Sequence, residues 1–123
     1  MEQLDIDFRS VADQMGTHVI CPPGYTIFEK GAAADAMWIV LKGNIAIESD
    51  GKPIEVVGPD YAIGILSLID GLPRSTTAQA QSNAELVRID EHRFRFLVEE
   101  MPYFAWYVMR QLAQRLRATN AAL

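Results

Sequence analysis

The stretch Gly64-Ile65-Leu66-Ser67-Leu68-Ile69-Asp70-Gly71-Leu72-Pro73-Arg74-Ser75-Thr76-Thr77 carries the residue types that hold an anion. A strand-like run ends at Gly64, a short apolar helical turn follows, and a glycine–proline turn leads to Arg74 at the opening of another strand. Backbone N–H groups left free at the start of a helical turn attract negative charge. Arginine adds a forked, permanently charged donor set. Pro73 fixes its own φ and restricts the residue before it, which helps to aim Arg74. The same residues also read as a surface turn with a solvated arginine, because short motifs match by chance. The rest of the chain has to decide between the two.

Other chemistry finds few residues to work with. The chain has 123 residues, a net charge of −5, one cysteine and two histidines. An intrachain disulfide needs a second cysteine. His18 and Cys21 lie three apart on a strand-like run and so face opposite ways. With His92 as the other histidine, the ligand set is too small for a zinc site or for a metal-dependent enzyme of the cupin kind. No Ser/His/Asp or Cys/His set has credible partners, so the expectation is a non-enzyme with no cofactor. The acidic balance argues against nucleic acid, which leaves a basic footprint on its binders. Arg110, Arg115 and Arg117 near the C-terminus read as a solvated helix face. The apolar runs Met37–Leu41 and Tyr61–Ile63 are too short to span a bilayer, and Glu2, Asp5 and Asp7 do not suit a signal peptide. A cytoplasmic protein without membrane contact is expected.

The elements that must position Arg74 follow from periodicity. Leu4, Phe8, Val11 and Met15 recur at helical spacing and predict an N-terminal helix over 1–15, stopped by Gly16. Between 17 and 90, short β-branched or alternating runs are punctuated by Pro22-Pro23-Gly24, Gly31, Gly43, Asp50-Gly51 and Gly58-Pro59. They predict strands over 17–21, 25–28, 37–41, 44–48, 53–57, 61–63, 75–81 and 84–89, with Asp50-Gly51 as the strongest hairpin signal. Asp90 caps a helix over 91–100, Met101-Pro102 breaks it, and a last helix runs from Tyr103 to about Thr119. About eight short, regularly spaced strands predict a double-stranded β-helix (jelly roll) with one helix before it and two after it. The whole of 1–123 reads as a single domain.

With these elements in hand, the chain resembles a known family, the cyclic-nucleotide-binding domains of the catabolite activator protein and protein kinase A regulatory subunit type. Pro23-Gly24-Tyr25-Thr26-Ile27-Phe28-Glu29-Lys30-Gly31 resembles the family's opening turn and strand, and Met37-Trp38-Ile39-Val40-Leu41-Lys42-Gly43 its next strand. Asp70-Gly71-Leu72-Pro73-Arg74-Ser75 resembles the phosphate-binding cassette, and Gln111-Leu112-Ala113-Gln114-Arg115-Leu116-Arg117 the long last helix. The resemblance covers about Gly16 to Asn120. It implies a barrel that binds cyclic AMP or cyclic GMP, with Arg74 on the cyclic phosphate. The Ser75 hydroxyl and the amides near Ser75 and Thr76 would complete the anion hole. Gly64 would let the backbone approach the ribose, and the last helix would act as a lid.

One departure matters. Where the family carries a glutamate for the ribose hydroxyl, straight after the cassette glycine, this chain has Ile65. A hydroxyl left without its acceptor costs about 1–3 kcal/mol, roughly five- to 150-fold in affinity. Losing that carboxylate should also leave the pocket more cationic and more accepting of anions in general. Ser67 is a substitute acceptor only if its hydroxyl is not spent on its own backbone. Thr76 replaces a usual alanine and crowds the phosphate end. The ligand-binding candidates are therefore Gly64, Ile65, Leu66, Ser67, Arg74, Ser75 and Thr76. The function expected is a ligand sensor that signals through its C-terminal helices to a separate protein partner. The alternative is a degenerate, ligand-independent interaction module on the same fold. The few residues after Asn120 leave no room for a helix-turn-helix, so direct transcription control is not expected. Ala105, Val108, Met109, Leu112, Ala113 and Leu116, with Trp106 and Tyr107, form a wide apolar stripe on the last helix. Such a stripe either covers the barrel or makes a homodimer.

Overall fold

Eight strands form two four-stranded antiparallel sheets in the computed structural model, which describes residues 14–121. One sheet runs β1 (Thr17–Cys21), β8 (Ala84–Asp90), β3 (Ala36–Lys42), β6 (Ala62–Ile63). The other runs β2 (Thr26–Phe28), β7 (Thr77–Ala80), β4 (Ile45–Ser49), β5 (Lys52–Val57). A short helix, α1 (Ile65–Asp70), lies between β6 and β7, and α2 (Glu91–Glu100) and α3 (Pro102–Ala121) follow β8. This is the jelly roll expected from the spacing of the strands.

Strand β3 explains how the layers hold together. It is buried on both faces, which is why Met37–Leu41 reads as an unbroken apolar run and not as an alternation. Met37, Ile39 and Leu41 share one cluster with Val87, Ile89, Phe94, Leu97 and Phe104, between the sheet and the helices. Trp38 and Val40 point the other way, into the inter-sheet cluster with Ile45, Ile47, Ile63 and Leu86. The β4–β5 hairpin turns through Asp50 and Gly51, both at positive φ (52° and 81°), as a two-residue hairpin with right-handed strand twist requires. Pro53 is tolerated in β5 because that strand is an edge of its sheet.

The helices obey their local signals. Asp90 Oδ1 accepts from the Arg93 N–H at 2.8 Å, capping α2. Pro102 opens α3, where its missing N–H costs nothing. Phe104 is fully buried and meets Phe94 edge to face, with centroids 5.9 Å apart.

One expectation changes. The strand predicted over 75–81 starts only at Thr77, where it first pairs with Glu48 of β4. Before that, the backbone of Arg74 is taken by the β2–β3 connection: Gly31 N–H donates to Arg74 O at 2.8 Å, and Arg74 N–H donates to Ala32 O at 2.9 Å. The helix predicted over 1–15 lies almost wholly outside the described residues; its end, Gln14 and Met15, is helical, and Met15 is buried in the helix-side cluster. No helix among the described residues is long and apolar enough to cross a membrane.

Phe104→Ala should destabilise the fold by about 3–5 kcal/mol, since it empties the junction between sheet and helices. Chemical denaturation measures this, and a loss below about 1 kcal/mol would show that α3 is not a structural part of the core.

Candidate functional site

Strand β6 pairs with β3 at Trp38↔Ile63 and Ile39↔Ala62, and the chain then turns away at Gly64 into α1. Arg74 fills the space this leaves beside β3. Its Nη2 donates to Ala36 O at 2.6 Å and its Nη1 to Gly64 O at 2.8 Å. Its guanidinium carbon sits 4.5 Å from the Phe28 ring centroid and 5.4 Å from that of Trp38. Such contacts between a desolvated cation and ring faces are worth about 0.5–2 kcal/mol each. The residue is only 3 % exposed, and its Nε is buried without a hydrogen-bond partner. Burial pulls the guanidinium below its ordinary pKa, with Asp35 opposing that shift and Arg88 adding to it. Gly64 is required here. It holds φ at +82°, and a Cβ would come within 2.8 Å of Arg74 Nη1.

Arg74 lies on the wall of a cavity of about 440 Å³, within the usual range for small-molecule sites. Gly64, Ile65, Leu66, Ser67, Ser75 and Thr76 line it, together with Phe28 and Ile47. Glu55, Tyr61, Arg115, Ala118 and Thr119 complete the wall. All seven residues singled out from the sequence therefore meet at one cavity.

Helix α3 is fastened to the rim by side chains four residues apart. Tyr107 donates to Asp60 O at 2.6 Å, Gln111 Oε1 accepts from Ala62 N–H at 2.9 Å, and Arg115 Nη2 donates to Ala62 O at 2.7 Å. Burial, and then the nearby Asp60, push the Tyr107 phenol far above its usual pKa, so it stays a donor at any working pH. Arg115 also reaches Glu55 at 3.4 Å and lies over the Tyr61 ring, 4.7 Å from its centroid.

The profile of the family described as "Cyclic nucleotide-binding domain" matches residues 18–101. The chain belongs to the cyclic nucleotide-binding domain family. A CRP-like cAMP-activated global transcriptional regulator of Mycobacterium tuberculosis is 31% identical over 104 residues, covering 80% of this chain and 46% of that protein. This chain thus spans about half the length of that relative. A cyclic nucleotide-gated potassium channel of Rhizobium etli is 28% identical over 96 residues, covering 78% of this chain and 27% of the channel. The crystal structure of the Thermus thermophilus catabolite activator protein superposes with a TM-score of 0.82 at 24% identity, over 97% of this chain and 58% of that one. At that identity the superposition shows the shared fold.

Within this cyclic nucleotide-binding domain, the predicted residues differ in what they present. Ile65 is buried in the helix-side cluster and contributes apolar wall only. Leu66 is exposed. The Ser67 hydroxyl donates to Pro73 O at 3.3 Å, so it is spent on the backbone of its own loop. Ser75 is exposed and Thr76 half-buried, both outside regular structure.

Three features escaped the sequence reading or contradict it. Arg115 is not on a solvated face, because α3 lies across β6 and turns positions 107, 111 and 115 onto it. Nor is the cavity left without a carboxylate by Ile65, since Glu55 lines it. The sequence held no signal for Glu55: alternation would turn Ile54 and Val56 inward, yet each is 54% exposed and Glu55, between them, lines the cavity. The apolar stripe of α3 divides. Val108 and Leu112 pack against the core, whereas Trp106, Met109 and Leu116 are exposed.

Arg74→Ala should lower the unfolding midpoint of the ligand-free protein, because the Ala36 and Gly64 carbonyls lose their donor at about 1–3 kcal/mol each. An unchanged midpoint in thermal unfolding would show that Arg74 has no structural role.

Proposed function

We propose that the cavity binds a cyclic nucleotide, cyclic AMP or cyclic GMP, with its phosphate at Arg74, Ser75 and Thr76. Gly64, Ile65, Leu66 and Ser67 form the wall beside the sugar. The observation that carries this reading is the unpaired, buried Nε of Arg74 on the wall of a cavity of about 440 Å³. A buried donor without a partner is costly, and an anion would remove that cost. The membership of the family and the names of the relatives support the same ligand class.

The domain is a sensor and not an enzyme, and its output is the position of α3. Arg115, Ala118 and Thr119 belong both to that helix and to the cavity wall, so a ligand that touches them acts on the helix directly. A protein partner, or a second copy of the chain, would read this through the exposed Trp106, Met109 and Leu116. That exposed face also favours a second reading, in which the domain works through protein contact without any ligand.

Cyclic nucleotide at about 100 times its dissociation constant should stabilise the protein by roughly 2.7 kcal/mol, a rise of several degrees in the unfolding midpoint. Arg74→Lys and Ser75→Ala should each diminish the rise, and inorganic phosphate should not reproduce it. No rise with either cyclic nucleotide at millimolar concentration would favour the ligand-independent reading.

A further inference from the structure

A second cavity, of about 350 Å³, shares Phe28 and Arg74 with the first and is walled by β1, β2 and β8. Its volume is within the range of small-molecule sites. Val19 and Cys21 of β1, Ile27 of β2 and Leu86 of β8 give it an apolar lining. Asp35 and Arg88 stand on the same wall. None of these six residues lines the first cavity.

Arg88 breaks the pattern of its strand. Residues opposite one another on antiparallel strands put their side chains on the same face. Arg88 stands opposite Trp38, and Leu86, two residues earlier, stands opposite Val19. Trp38 and Leu86 belong to the inter-sheet cluster, and Val19 packs against it. Alternation therefore turns Arg88 toward the space between the sheets, where an apolar residue is the rule. Its ion pair does not account for that placement. Arg88 Nη2 meets Asp35 Oδ2 at 3.0 Å, but the Asp35 side chain is 73% exposed, and so open a pair contributes little. The contact uses one of the five N–H donors of a guanidinium.

Arg74 and Arg88 bring two positive charges to this wall and Asp35 one negative charge, which leaves one positive charge in excess. Arg74 already donates to the Gly64 and Ala36 carbonyls, so Arg88 is the cation with donors to spare. A matching ligand has one negative charge at one end and a hydrocarbon body at the other. A carboxylate accepts the forked donors of a guanidinium, and the hydrocarbon replaces water against the apolar lining.

We propose that this second cavity binds a short apolar monocarboxylate, with its carboxylate on Arg88 and its hydrocarbon end among Val19, Ile27 and Leu86. The site stands independently of the cyclic-nucleotide reading, because its headgroup contact and its apolar lining lie outside the first cavity.

Tryptophan fluorescence of the full chain tests it. The chain has two tryptophans, Trp38 on the wall of the second cavity and Trp106 exposed on α3, so Trp106→Phe leaves a reporter in the wall. Hexanoate should change the Trp38 emission saturably at millimolar concentration. Hexanamide, which lacks the charge, and acetate, which lacks the apolar body, should each bind at least about tenfold more weakly. In the same background, Arg88→Met and Val19→Phe should each weaken hexanoate at least about tenfold. Ala118→Phe, at the rim of the first cavity, should leave it within about threefold. Unfolding midpoints check that the variants fold, and the comparison of the three probes carries the test if one does not. The proposal is overturned if hexanoate gives no saturable change, if hexanamide or acetate binds as tightly, or if Ala118→Phe abolishes binding that Arg88→Met leaves intact. None of these results bears on the cyclic-nucleotide reading.

Discussion

The Arg74 guanidinium is buried among backbone carbonyls and aromatic faces, and much of the surrounding structure answers to it. A buried cation is expensive unless its donors are satisfied. Ala36 of β3 and Gly64 at the start of α1 each accept one of its hydrogen bonds, while Phe28 of β2 and Trp38 of β3 cover the guanidinium plane. One side chain therefore ties both sheets to the short helix. The same packing forbids a side chain at residue 64, whose positive φ and 2.8 Å approach to Arg74 suit only glycine. Nε alone is left buried without a hydrogen-bond partner, so the network around the guanidinium is incomplete.

Helix α3 is coupled to this site through the backbone and not through apolar contact alone. Tyr107, Gln111 and Arg115 lie on one face because four residues make slightly more than one helical turn. They meet the polar backbone of Asp60–Ala62, where the chain enters β6. Buried backbone groups need partners, and here the helix supplies them. Toward its C-terminus the helix leaves the core, and its residues beyond Arg115 are exposed, Ala118 and Thr119 among them at the rim of the cavity. The helix is thus firmly held in its first half and lightly held in its second, beside the cavity.

Much of the fold was legible because each element carried its own local signal. The Asp50-Gly51 turn, the Asp90 cap and the Pro102 helix start all act within a few residues. The two-sided burial of Met37–Leu41 shows in its unbroken apolar run. The start of β7 was less legible, because the preceding backbone pairs with residues Gly31 and Ala32, far away in sequence.

Sequence by itself determined the jelly roll, the cassette around Gly64 and Arg74, and the family to which they belong, since these rest on periodicity, turn chemistry and a contiguous motif. Only the tertiary structure decided what stands opposite the cassette. Glu55, Tyr61 and Arg115 come from a strand, a loop and a helix far apart in the chain, and each is unremarkable in its own neighbourhood. Their meeting depends on α3 crossing β6 and on β5 turning Glu55 inward. The same crossing divided the apolar stripe of α3 into a buried face and an exposed one. Period alone finds such a stripe but does not tell which part of it will be covered, because that depends on the orientation of the helix about its own axis.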